Sequence, residues 1–291
     1  NPSLFTEANI EKGIESVIGD VRNLADLRKV FEGFQPEIVF HLAAQPIVRE
    51  SYKEPVLTYE TNVMGTVNLL ECVRENASGA NPTVLSVLNV TTDKVYLNRE
   101  WIWGYREDEM LDGFDPYSNS KSCSELATHS YKNSFLQNLP VSTARAGNVI
   151  GGGDFAVDRI IPDCVRAVAD NSVMKIRNPH STRPYQHVLE PIFAYLMIAA
   201  RQVENPDLQG WYNVGPDSKD VRYTGELVEE FSRCWGEGFF FEITQEADAP
   251  HEANLLMLDC SKLKAVFGWS PRWNVETAVA KTVELSKCWL A

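Results

Sequence analysis

Tyr117 and Lys121 stand four residues apart just after Asp115-Pro116, and on a helix that spacing could make a base. Asp115 and Pro116 read as a helix entry, which would stack the two side chains on one face of the first turns. A free phenol, with a pKa of about 10, keeps its proton at neutral pH, whereas an ammonium beside it favours the phenolate and draws that value down. The same spacing also suits a helix start with a half-buried tyrosine and a solvated lysine. A second reactive group precedes it: Thr92-Asp93-Lys94 places a hydroxyl, a carboxyl and an ammonium side by side at the end of an apolar run. Its plain alternative is a strand end capped by polar side chains.

The elements that would position these groups alternate in type. Val17–Arg22 reads as a short strand and turn, 23–34 as a helix with apolar residues at Leu24, Leu27, Val30 and Phe31, and 37–44 as a buried strand. A long helix is expected over 56–76, a strand over 83–90, the Tyr-Lys helix over 117–138 and a further strand over 141–146. Such alternation argues for an α/β fold with a doubly wound parallel sheet. Ligands of such sheets bind beyond the carboxyl ends of the strands, where Ala43-Ala44, Thr92-Asp93 and Arg145 to Asn148 fall. After Gly147 the texture becomes loop-rich, with helices expected at 158–170 and 188–203. The last third mixes strands at 211–214 and 239–243 with helices at 224–235 and 275–289.

The chain of 291 residues is 44% hydrophobic and 23% charged, enough for a sizeable core. Its net charge of −13 opposes binding to nucleic acid or anionic membrane, while a small anion can still bind where basic residues converge. Six cysteines, without a C-x-x-C pair or metal-ligand spacing to the five histidines, read as reduced thiols of a cytoplasmic protein with no metal site. No apolar run reaches the ~20 residues of a membrane span.

Together, Tyr117-x-x-x-Lys121, Thr92-Asp93, His41-Leu42-Ala43-Ala44 and Thr61-Asn62-Val63-x-Gly65-Thr66 resemble the extended short-chain dehydrogenase/reductases that act on nucleotide-activated sugars. Within them, Thr92-Asp93-Lys94-x-Tyr96, the run from Asn98 to Glu107, Tyr117 to Lys121, Arg145 to Asp154 and Arg183-Pro184-x-Gln186-His187 to Pro191 look like CDP-glucose 4,6-dehydratases. The resemblance covers essentially the whole chain. It implies a Rossmann-like NAD-binding domain over 1–147 and 186–215, and a smaller mixed α/β nucleotide-sugar domain over 148–185 and 216–291. It further implies a lyase of deoxysugar (O-antigen, lipopolysaccharide) biosynthesis that oxidises carbon 4 of CDP-glucose, loses water across carbons 5 and 6, and returns hydride from NADH.

On that resemblance Tyr117, beside Lys121, is the base at carbon 4, Thr92 bonds the sugar there, and Asp93 is the acid for the departing hydroxyl. Many relatives have Glu where Lys94 stands; an ammonium is a poor base unless burial lowers its pKa, so Lys94 is either a base or electrostatic support for Asp93. The implied cofactor contacts are Asp20, Val21, Leu42, Ala43, Ala44 and Asn62, with Tyr117 and Lys121 at the nicotinamide end. The implied substrate contacts are Asn148, Arg159, Arg183 and His251. The Gly-rich turn that holds a dinucleotide pyrophosphate is not in this sequence, and Gly151-Gly152-Gly153 follows a late strand without the strand-turn-helix setting. The expectation is that the numbering begins after about fifty residues of a Rossmann half, in which case NAD binding by these residues alone would be impaired. The rival readings are an epimerase or another dehydratase on the same scaffold, and a silent binding relative. A homodimer through a four-helix bundle of 56–76 and 117–138 is implied as well.

Overall fold

The computed structural model describes residues 3–244 and 255–291. After helix α1 (Leu24–Phe34), four parallel strands form the main sheet in the order β1 (Ile38–His41), β2 (Ser86–Thr92), β3 (Val141–Ala146) and β4 (Trp211–Val214). Because all four run the same way, their carboxyl ends share one edge.

Alternation along the strands assigns the two faces. Val39, Val87 and Val141 turn toward Leu69, Leu70 and Val73 of helix α2 (Gly65–Ala77), with Leu136 in the same cluster. Leu88, Ala144, Ala146 and Val214 turn the other way, toward Ala194, Tyr195 and Ile198 of the helix at Leu189–Glu204. Helix α3 (Pro116–Ser134) lies beside α2 and contributes to the first layer. The sheet is thus covered on both faces, as parallel sheets require, and each large aliphatic side chain so buried contributes about 1.5–3 kcal/mol. A separate core gathers Ile150, Ile161, Cys164, Ile176, Leu227, Phe231 and Val279, around the helices Ile160–Ala169, Thr224–Trp235 and Val275–Leu290 and a parallel pair of strands, Val173–Ile176 and Phe240–Ile243.

Two elements differ from the sequence expectation. Val17–Arg22 forms no strand: a strand needs a hydrogen-bonded neighbour, and among the described residues β1 pairs only with β2, leaving Ile18 95% exposed. The helix expected over 56–76 is interrupted by a wider π turn at Glu60–Met64, between Pro55–Tyr59 and α2. Such turns recur at functional sites, and this one holds Asn62.

Candidate active site

Helix α3 starts where it does because Asp115 caps it. Asp115 accepts the Ser118 backbone N–H at 2.9 Å and the Ser118 hydroxyl at 2.6 Å, and Pro116 occupies the first helical position. One turn in, Tyr117 and Lys121 are both buried and lie on the same side of the helix. The Lys121 ammonium donates to the Val90 carbonyl at 3.1 Å, next to the end of β2. Burial lowers its pKa to about 8, although Glu125 one turn later works against that. The phenol of Tyr117 behaves differently from the expectation: its pKa is pushed up to about 12. Burial is the main cause; Thr92 and Arg159 lower the value and the Asp93 charge raises it. Lys121 is turned to Val90 and is not among these influences, so in this arrangement desolvation outweighs the expected help from the ammonium.

At the end of β2, Thr92 donates its hydroxyl proton to Asp93 at 3.0 Å. Asp93 is 1% exposed, and its second carboxylate oxygen has no partner among the described residues. Burial raises its pKa, while the Lys94 ammonium, Thr92 and Arg183 oppose the rise. A buried carboxyl so placed tends to keep a proton and can act as an acid.

Thr92, Asp93, Lys94 and Tyr117 line one cleft of about 430 Å³ with Asn148, Arg159 and Arg183. Arg183 is buried and donates to the Thr182 carbonyl at 2.9 Å; Arg159, at the start of helix Ile160–Ala169, lies 3.7 Å from Asp154. Gly147 lets the end of β3 approach the Arg183 segment, since a Cβ there would lie 2.6 Å from the Pro184 ring and 2.8 Å from its carbonyl. His251 lies outside the described residues.

Of the expected cofactor residues only Tyr117 is in this lining. Leu42, 57% exposed, and Ala43 and Ala44 follow β1, and Asp20 is clamped by Arg22 at 2.6 Å, which holds its carboxyl at about 2. Asn62 is fully buried, accepts the Gln45 backbone N–H at 2.8 Å, and donates to the Gln45 carbonyl at 3.1 Å and to Ser120 at 2.8 Å. It ties the loop after β1 to α3, and so shapes that loop. The rest of its motif is explained in the same way. A Cβ on Gly65 would lie 2.6 Å from the Val21 side chain, and Asn68 donates to the Val21 and Arg22 carbonyls, both at 3.0 Å. The Thr66 hydroxyl donates to the Asn62 carbonyl at 2.7 Å and lies 3.0 Å from His41 Nε2.

Beneath the site lies an ion pair that the sequence does not reveal. Glu125 and Arg145, both 0% exposed in their side chains, meet at 2.9 Å, and Glu125 also accepts hydroxyl bonds from Thr91 and from Thr143 at 2.8 Å. Arg145 donates onward to Tyr96 at 2.9 Å, and Tyr96 to Asn213 at 2.6 Å. The cleft also holds Arg49, Arg177, Tyr195 and Thr224, which pattern alone did not single out. Trp101 and Trp103 are not in its lining; Trp101 stacks on Tyr105 at 5.3 Å, and Trp103 is 67% exposed.

A twofold-covered parallel sheet with a Tyr-Lys helix and a Thr-Asp strand end defines an NAD-type Rossmann fold of the short-chain dehydrogenase/reductase kind. The family model described as GDP-mannose 4,6 dehydratase matches residues 3–282, and the chain belongs to that family. It is 44% identical to a CDP-glucose 4,6-dehydratase of Salmonella typhimurium, over 99% of this chain and 81% of the relative. It is 27% identical to a dTDP-glucose 4,6-dehydratase of Xanthomonas campestris pv. campestris, over 97% and 82%. The fold matches a UDP-glucuronic acid 4-epimerase from Bacillus cereus, solved with UDP-glucuronic acid and NAD, with a TM-score of 0.83 at 20% identity, over 99% of this chain and 88% of that one.

Proposed function

We propose that this protein is a lyase converting CDP-D-glucose to CDP-4-keto-6-deoxy-D-glucose, with NAD restored at the end of each cycle. The observation that carries the reading is the convergence in one cleft of Tyr117, Thr92, Arg183 and the buried Asp93 carboxyl with its unpartnered oxygen. The nucleotide is chosen from the 44% identical relative.

When bound, NAD supplies a hydride acceptor for carbon 4 of the glucose and later returns hydride to carbon 6. Tyr117 takes the proton of the carbon-4 hydroxyl, for which the positive charges of Lys121 and of bound NAD would have to offset the burial that holds its phenol at about 12, and Thr92 hydrogen-bonds that oxygen. The ketone formed acidifies carbon 5, whose proton leaves to a base. Asp93, whose pKa burial raises, protonates the hydroxyl leaving carbon 6. Lys94 acts as electrostatic support, because its charge already moderates the Asp93 pKa. Arg183 and Arg159 face the diphosphate, with Asn148 beside them, and offset the negative charge of the chain locally.

The donor set suits NAD at its nicotinamide end, where the Lys121 ammonium gives one of its three N–H groups to Val90 and keeps two for a ribose. Asp20, Val21, Leu42, Ala43 and Ala44 form the adenosine side, with Asn62 fixing the loop between. We assign 1–147 and 186–215 to the dinucleotide-binding unit and 148–185 and 216–291 to the nucleotide-sugar unit; two core clusters each fall within one unit, while Leu263, Phe267 and Trp269 of the second pack with Leu88 and Ala144 of the first. The exposed Val56, Met64 and Leu126 on the two helical stretches favour a homodimer through a four-helix bundle. Six unpaired thiols favour the cytoplasm, and the product class suits deoxysugar supply to lipopolysaccharide. No helix among the described residues is long and apolar enough to cross a membrane.

The test is incubation with CDP-glucose, UDP-glucose and dTDP-glucose, following the ultraviolet absorbance that 4-keto-6-deoxy sugars develop in alkali. Signal with the CDP sugar is expected. Signal only with another nucleotide would overturn the substrate, and epimer formation without that signal would overturn the dehydration.

A further inference from the structure

Tyr195 lies in the helix Leu189–Glu204, on the far side of the sheet from the Tyr-Lys helix, yet it lines the same cleft. Its ring packs in the cluster with Leu88, Ala144, Ala146 and Val214. Ala146, at the end of β3, carries only a methyl group, and this leaves room above the strand end for the phenol. The residue is 6% exposed, and its hydroxyl makes no hydrogen bond to any described residue. Because the side chain lines the cleft, that hydroxyl is left available to a ligand there. We propose that the Tyr195 hydroxyl is a hydrogen-bond donor to the hexose of the bound nucleotide sugar, at the end of the cleft where Tyr117, Thr92 and Asp93 act.

The hexose is the ligand portion chosen because Tyr195 shares its wall with Tyr117, Thr92 and Asp93, whereas Lys121 and Leu42 to Ala44 lie outside that lining. Burial and the neighbouring Tyr117 both raise the Tyr195 pKa, which keeps this phenol a hydrogen-bond donor. On the dehydratase reading the two phenols divide the work: Tyr117, one helical turn before Lys121, moves a proton, and Tyr195 only donates a hydrogen bond. The inference rests on the dehydratase reading above.

The test is Tyr195→Phe in the full natural chain. It keeps the ring and, because the hydroxyl has no partner among the described residues, should leave the melting temperature unchanged. The dissociation constant for CDP-glucose, measured by calorimetry, is expected to rise about tenfold and that for CDP to stay within twofold; turnover of CDP-glucose should fall at least tenfold. Wild-type turnover with a variant that binds and turns over CDP-glucose like the wild type would overturn the role of Tyr195 alone. Equal weakening for CDP and CDP-glucose would overturn the hexose contact. Failure of the wild type to bind CDP-glucose would overturn the dehydratase reading and this inference with it.

Discussion

Replacing Glu125 by Gln isolates one charge in the buried network. Gln has the same shape, so its carbonyl oxygen can still accept from Thr143 and Arg145 while its amide faces the Thr91 hydroxyl, which can turn to accept. What is lost is the negative charge opposite an Arg145 guanidinium that is itself 0% exposed. Breaking a buried pair from one side costs about 3–5 kcal/mol. The carboxyl's own titration gives a similar figure. Burial pushes its pKa up, but Arg145, with the nearby His129 ring and the hydrogen bonds from Arg145 and Thr91, more than offsets this and holds it at about 2, against 4.5 for a free Glu. At 1.36 kcal/mol per unit, that difference is about 3 kcal/mol of stability. Because the folded value is depressed, this stability is present above pH 4.5 and is lost as the pH falls toward 2. In urea unfolding at pH 7, E125Q should therefore lose about 3–5 kcal/mol. The double variant Glu125→Gln with Arg145→Met should recover part of that loss, since neither charge is then left alone. A loss below about 1 kcal/mol, or two single effects that simply add, would refute the claim that each charge depends on the other.

Asp93→Asn keeps an acceptor for Thr92 but removes the acidic proton, so dehydration should fall by about 10²–10⁴-fold, while solvent deuterium still exchanges into carbon 5 of the sugar; loss of both would point to a failure earlier than the acid step. His41 is held neutral by burial and by the nearby Lys121 charge, at about 3 against 6.5 when free. Across that interval the unfolded chain binds the proton the native state excludes, so His41 should remove roughly 2 kcal/mol of stability between pH 6.5 and 5; His41→Gln should flatten that part of the denaturation profile, and an unchanged slope would contradict the assignment. Gly147→Ala, with its added methyl pressed against Pro184, should cost about 1–3 kcal/mol and raise KM more than it lowers kcat, because the displaced segment carries Arg183. Chemical denaturation and steady-state kinetics read the two effects separately.

Much of the scaffold was legible because its causes are local. The Asp115 cap and Pro116 start α3, and the apolar runs at Val141–Ala146 and Trp211–Val214 form strands at those bounds. The Thr-Asp and Tyr-Lys groups fall at the carboxyl edge of the sheet because parallel strands share that edge. Val17–Arg22 was misread because pairing is a property of two strands, and composition reports only one. Asn62 was placed as a ligand contact, whereas its neighbours across 17 and 58 residues consume its amide.

The sequence by itself determined which chemical groups are present, the caps and periodicities that start the helices and strands, and the family to which the chain belongs. Only the tertiary structure decided how those groups behave. Desolvation sets the Tyr117 phenol at about 12 and raises the Asp93 pKa, packing turns Lys121 to Val90, and strand-to-helix contact joins Glu125 to Arg145 and brings Tyr195 over Ala146 into the cleft. The reason is physical: a cap or a repeat needs only neighbours along the chain, whereas burial, charge pairing and an unpartnered hydroxyl depend on what the rest of the fold puts around them.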